Sequence, residues 1–215
     1  MESLYGYRRE PMENFILPIT KGNVIIRLAT IVDLPHLLDI YKPYVEKTAI
    51  SFELVTPSLE DFKQRFENIS KAYPYVLIEE NQTILGYAYA AAFHSREAYA
   101  HCAELSIYLA ESAKGKGLGH LLYDTLETIL KEQHIYNVYA CVAFTENVSD
   151  PFLTNHSLQF HEKRGYKING RFKRCGYKFN RWYDMVWMEK FLGIPPKSVE
   201  PFIEFPVFMQ SLKKN

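Results

Sequence analysis

No apolar run in this chain approaches the roughly 18 residues of a membrane-spanning helix. The opening MESLYGYRREPMENFILPIT lacks the basic start and apolar centre of a secretory signal. Net charge is missing as well: 25 Lys and Arg balance 25 Asp and Glu in 215 residues. Nothing in that total points to nucleic acid or to an anionic membrane surface as a partner. Cysteine is scarce. Cys102, Cys141 and Cys175 form an odd set without C-x-x-C spacing, which speaks against a disulfide framework and against a zinc site. No metal is expected, and a reducing, cytoplasmic setting follows. Internal repeats are absent.

Aromatic residues are plentiful, with 16 Tyr and 14 Phe, enough for an aromatic core or an aromatic-lined pocket. Residues 1–22 carry Pro11 and Pro18 without periodicity and read as an N-terminal extension. Residues 23–190 read as one folded domain. Residues 191–215 form a C-terminal tail in which Pro195, Pro196, Pro201 and Pro206 argue against a long helix, while Phe202, Phe205 and Phe208 suggest packing against something. Inside the domain, strands are expected near 23–28, 75–79, 83–93, 99–110, 137–144, 166–175 and 182–190. Helices are expected near 30–41, 57–70 and 154–164. The strongest helix covers 118–133, where Leu118, Leu121, Leu122, Leu126, Ile129 and Leu130 recur at helical spacing. Loose alternation with consecutive strands in the middle implies an α/β fold with a mixed sheet and helices on both faces.

The feature that carries chemistry is Lys114-Gly115-Lys116-Gly117-Leu118-Gly119-His120, between a strand and the strongest helix. Glycines let backbone N–H groups converge on one anion, and the helix start adds about half a positive charge. Lys114 and Lys116 add full charges, so a phosphate or pyrophosphate is the expected ligand. A glycine-rich turn that merely joins strand to helix would look the same. The letters fail the Walker A pattern. They also fail the dinucleotide fingerprint, because His120 stands where its last glycine belongs.

The string Lys114-x-x-Gly117-x-Gly119 resembles the [QR]-x-x-G-x-[GA] coenzyme A signature of the GNAT superfamily of N-acetyltransferases, with lysine at the first position. AELSIYLAESAKGKGLGHLLYDTLE, NVYACV, FHEKRGY, GYKFNRWYDMVWMEK, TAISFE and LGYAYAAAF each resemble the phosphinothricin and methionine-sulfoximine acetyltransferases within it. The resemblance covers roughly residues 23–190. It implies a GNAT-like fold: a splayed, mostly antiparallel sheet flanked by helices, with acetyl-CoA as cosubstrate. The pantetheine arm would pair with the strand backbone at Ile107, Tyr108 and Leu109, and the pyrophosphate would sit on Gly115–His120. A further family contact, an asparagine at the next helix start, falls on Thr154 by spacing and on Asn155 by residue type. Asn155 could equally cap its own helix.

Amine acetylation needs a base, because an ammonium has no lone pair. Glu104 is the candidate. On a strand it shares a face with Cys102, Ser106 and Tyr108, and burial there would raise its pKa. The family places its general base at this position. His161 matches the family position of a general acid and could equally be structural. The subgroup's R-x-x-Y element is Arg96 and Tyr99, which would hold the acid group of a small acceptor, with Phe52 walling the pocket. His94 replaces a family arginine-type residue, so the acceptor amine stays open between an amino-acid analogue and a polyamine. A homodimer is expected by analogy. The alternatives are a non-catalytic acyl-CoA-binding regulatory domain and an acetyltransferase of protein N-termini or lysines, whose groove the apolar tail could cover.

Overall fold

The computed structural model describes residues 17–212; residues 1–16 of the expected extension lie outside them. The described part of that segment contains a short strand. Ile19–Lys21 (β1) pairs antiparallel with Val24–Leu28 (β2) across a turn where Gly22 takes φ +61°. Three residues are too few for period-two patterning to reveal a strand.

A 3-10 turn at Ile31–Asp33 leads into Leu34–Glu46 (α1), which runs beyond its expected end at Tyr41 and contains Pro43. The Asp33 carboxylate accepts from the Thr30 N–H at 2.8 Å and the Thr30 hydroxyl at 2.7 Å, and it grips Arg27 at 2.8 and 2.9 Å. Leu59–Ser70 (α2) starts where the Ser58 hydroxyl accepts from the Asp61 N–H at 3.1 Å. Tyr75–Glu80 (β3) and Thr83–Ala92 (β4) form a hairpin turned by Asn81 and Gln82, with φ of 49° and 64°. Cys102–Leu109 (β5) begins later than expected, because Glu97–Tyr99 closes a 3-10 turn instead of extending. Then come Leu118–Glu132 (α3), Asn137–Phe144 (β6) and His156–Lys163 (α4), which stops before Gly165 at φ +85°. Lys167–Lys178 (β7), Arg181–Phe191 (β8) and Phe205–Leu212 (α5) complete the order.

The eight strands form one sheet in the order β1-β2-β3-β4-β5-β6-β8-β7. All neighbours are antiparallel except β5 and β6, which run parallel for three register pairs, Cys102↔Asn137, Ala103↔Val138 and Glu104↔Tyr139. Beyond that point β5 stays with β4 and β6 stays with β8. One sheet face packs on α3, α4 and α5 through residues such as Ala103, Leu105, Val138, Leu122, Leu126 and Phe208. The other packs on α1 and α2 through Leu77, Tyr75, Tyr87, Leu37, Phe62 and Phe66.

The described part of the tail packs into the core beside α3. Ile203 N–H donates to Gln133 O at 3.2 Å and Phe205 N–H to Ala72 O at 2.9 Å, which ties the tail to the C-terminal end of α3. That end lies roughly 20 Å from the glycine loop at the helix start, at 1.5 Å per residue. Pro206 fits because it stands in the first turn of α5, where no N–H partner is needed.

Candidate active site

The parting of β5 from β6 makes a gap with one free strand edge on each side. Ala110 N–H bonds back to Leu85 O at 2.8 Å, on the β4 side. By strand alternation the peptide groups of Ile107 and Leu109 point the opposite way, toward the gap. Those of Leu109 are already taken. The Tyr44 hydroxyl donates to Leu109 O at 2.6 Å and accepts from Leu109 N–H at 3.1 Å. Of the expected pantetheine residues, Ile107 therefore keeps an open edge. Tyr108 turns its peptide toward β4 and its ring toward Tyr41 and Tyr44, at centroid distances of 4.7 and 5.2 Å.

The glycine loop follows directly. After a 3-10 turn at Glu111–Ala113, Gly115 and Gly117 take φ of +75° and +77°, in the region that favours glycine. Gly117 is the N-cap of α3, and no side chain caps the first turn. His120 N–H bonds to Gly117 O at 3.0 Å, while those of Leu118 and Gly119 point out of the helix start. Gly119 is small for packing reasons: a Cβ there would meet the Phe160 ring at 3.1 Å and Ile107 at 3.3 Å. Lys114 pairs with Glu111 at 2.7 Å and lies over the Tyr44 ring. Lys116 has no ion pair among the described residues and is exposed. The loop thus offers uncapped amides and positive charge, which suits a diphosphate.

Glu104 stands where the sheet splits, paired with Ala91 on β4 and with Tyr139 on β6. Among the described residues its carboxylate makes no hydrogen bond and no ion pair, and it is half-buried. Burial pushes its pKa above the ordinary carboxylate value. Its face of the sheet continues through Ser106 and Tyr108 and across to Tyr89 and Tyr87. That face bounds a cavity of about 630 Å³. Tyr75, Tyr87, Tyr89 and Tyr108 form its floor, and Tyr41, Phe62 and Phe66 its helical wall. Ser51, Phe52 and Glu53 close one side, and Arg65 on α2 pairs with Glu53. The loop carrying Phe52 is held from β7. The buried Lys178 ammonium donates to Ser51 O at 2.7 Å, and any Cβ at Gly176 would collide with the Phe52 ring.

Other expected residues are placed differently. Asn155 makes no capping bond; its amide donates to Thr145 O at 2.8 Å and accepts from Thr145 N–H at 3.3 Å. Its side chain closes the loop after β6. Arg96 is exposed, without an ion pair among the described residues, and Tyr99 leans on Phe93 and His94 at 5.8 and 5.0 Å. Neither lines the cavity that Phe52 lines. His161 is buried at 3% exposure, its Nδ1 on Ser157 O at 2.8 Å and its Nε2 on the Tyr123 hydroxyl at 3.1 Å. Burial pulls its pKa down to about 4, and both ring nitrogens are engaged within the fold. Arg65 was missed, although its signal is legible: it interrupts the apolar stripe of Phe62, Phe66 and Ile69 on α2.

A family model described as an acetyltransferase (GNAT) domain matches residues 26–187. The chain belongs to the GNAT acetyltransferases. Within the family it is 29% identical over 180 residues to a phosphinothricin N-acetyltransferase of Streptomyces viridochromogenes, covering 83% of this chain and 94% of that one. An L-methionine sulfoximine/L-methionine sulfone acetyltransferase of Pseudomonas aeruginosa is 27% identical over 178 residues, covering 82% and 98%. A phosphinothricin acetyltransferase of Sinorhizobium meliloti, solved with AcCoA, superposes with a TM-score of 0.72 at 31% identity, covering 83% of this chain and 96% of that one. The GNAT assignment makes this chain an acetyl-CoA-dependent N-acetyltransferase, and the splayed sheet and the uncapped glycine loop are the features such an enzyme requires. Among the described residues no helix is long and apolar enough to cross a membrane.

Proposed function

We propose that this GNAT enzyme acetylates the primary amine of a small, amino-acid-like molecule, with Glu104 as general base. The observation that carries the reading is the unpartnered, half-buried carboxylate at the split in the sheet, on the strand that continues to Tyr108. A base with a raised pKa is better matched to neutral pH than an ordinary carboxylate.

Acetyl-CoA supplies the thioester. The diphosphate would rest on the amides of residues 115–120 and on Lys116, and the pantetheine would lie along the free edge at Ile107. Glu104 accepts the proton as the ammonium becomes a nucleophile, directly or through one water. The aligned site lowers the barrier by holding amine and thioester together. Two of the matched relatives are named for phosphinothricin and methionine sulfoximine, both amino-acid analogues, which supports an acceptor of that type. A purely regulatory coenzyme-binding domain would have no use for this carboxylate. The test is thiol release from acetyl-CoA against amino-acid analogues, polyamines and peptides with free N-termini. Turnover confined to peptides, or none with any amine, would refute the proposal.

A further inference from the structure

We infer that the acceptor is an aromatic α-amino acid, its side chain in the tyrosine-lined cavity and its carboxylate on Arg65. This deepens the function proposed above and rests on it.

The cavity wall decides the side chain. Tyr75 stacks on Tyr89 and Tyr87 at centroid distances of 4.7 and 5.7 Å, with interplanar angles of 16° and 14°. Tyr108 tilts against Tyr87 at 5.4 Å. The stacked rings cover one another's faces, so Tyr75 and Tyr87 lie buried behind the half-buried Tyr89 and Tyr108, which are left to meet a ligand. Such a surface is best matched by another ring, edge to face or offset. The volume of about 630 Å³ sits mid-range for pockets that enclose ligands of roughly 300–1,000 Å³. A compact acid such as phosphinothricin would leave most of that wall unfilled.

Charge decides the rest. Among the described residues Arg65 is the one cation lining the cavity. Its hydrogen bond to Glu53 uses Nη1. The other N–H groups of the fork stay available to a carboxylate. Glu53 is neutralised by the same pair, so a polyamine would meet a guanidinium and no free acid inside the cavity. The distance to the base also fits. Tyr89 pairs across the strands with Ser106, one two-residue step from Glu104, which is about 7 Å along a strand. The Tyr89 hydroxyl lies in electrostatic range of both the Glu104 carboxylate and the Arg65 guanidinium. An α-amino acid carries amine and carboxylate on one carbon, so it can address both groups from the Tyr89 end of the cavity. Arg96, exposed and outside the cavity, is thereby replaced as the acid anchor.

The test uses the full chain and Arg65→Met, with thiol release from acetyl-CoA as readout. The acceptors are L-phenylalanine, its methyl ester, L-tryptophan, L-alanine, phosphinothricin and spermidine. Calorimetric acetyl-CoA affinity confirms that the variant is folded. The expected kcat/KM for the aromatic acids exceeds that for alanine and phosphinothricin by about tenfold or more, the scale of filling an apolar pocket. Arg65→Met should raise KM for phenylalanine by roughly 10–100-fold, as loss of a charged hydrogen bond does, and move KM for its methyl ester by less than about threefold. Preference for phosphinothricin, alanine or spermidine would overturn the inference and leave the acetyltransferase reading standing. Equal effects of the substitution on acid and ester would overturn it too. No thiol release with any amine, despite acetyl-CoA binding, would instead overturn the function on which it rests.

Discussion

Replacing Glu104 with glutamine removes the proposed proton acceptor and little else. The carboxylate makes no hydrogen bond or ion pair among the described residues, so the amide breaks no contact in the fold. It stands at the split between β5 and β6, while the glycine loop lies beyond the end of β5. Affinity for acetyl-CoA should therefore hold. Turnover should fall by about 10²–10⁴, the contribution of a positioned base, which corresponds to about 3–5 kcal/mol of barrier. The pH profile supplies the sign. Burial raises the Glu104 pKa above 4.5. The wild-type rate should fall as pH drops through that raised value, because the protonated acid cannot accept a proton. In Glu104→Gln this acidic limb should vanish. The assay is thiol release at saturating acetyl-CoA from about pH 5 to about pH 9, wide enough to bracket a shifted carboxylate, with calorimetry for coenzyme affinity. Wild-type turnover in the variant, or an unchanged acidic limb, would remove Glu104 from the mechanism.

Two further outcomes follow from packing and charge. In Gly119→Ala the new methyl would press on Phe160 and Ile107, costing about 1–3 kcal/mol. Urea denaturation should show that loss together with weaker acetyl-CoA binding, and full stability would contradict the tight contact. Arg27 holds the Asp33 carboxyl down at about 2, against an ordinary value of 3.8. A depressed pKa gives stability that is complete above the ordinary value and lost as pH falls toward 2, here about 2 kcal/mol. Asp33→Asn should remove that share of the acid dependence, and an unchanged acid-unfolding curve would contradict it.

The parts of the fold legible in the sequence are those written locally. The glycine spacing at 115–119 marked a backbone that must turn left-handed and stay bare, and Gly115 and Gly117 do so. Alternation on the strand placed Glu104 with Ser106 and Tyr108, and Tyr108 lines the cavity. Ser58 and Asp61 announced the start of α2. What remained hidden depends on contacts between distant segments. No local pattern says that β5 and β6 separate after Glu104↔Tyr139. None says that a tyrosine on α1 satisfies the peptide of Leu109, or that His161 is buried against Tyr123. Asn155 illustrates the same limit: an asparagine beside a helix start suggests a cap, and its amide bonds to Thr145 instead.

In the proposed function the bare helix start and the unpartnered carboxylate serve the two ends of one bound thioester carrier. A crystal structure of the protein with acetyl-CoA measures it directly. The predicted result has the diphosphate on the amides of residues 115–120 and the acetyl group at the strand gap, its carbonyl carbon within a water-bridged reach of Glu104. A diphosphate bound away from that loop, or an acetyl group on the far side of the sheet from Glu104, would contradict it.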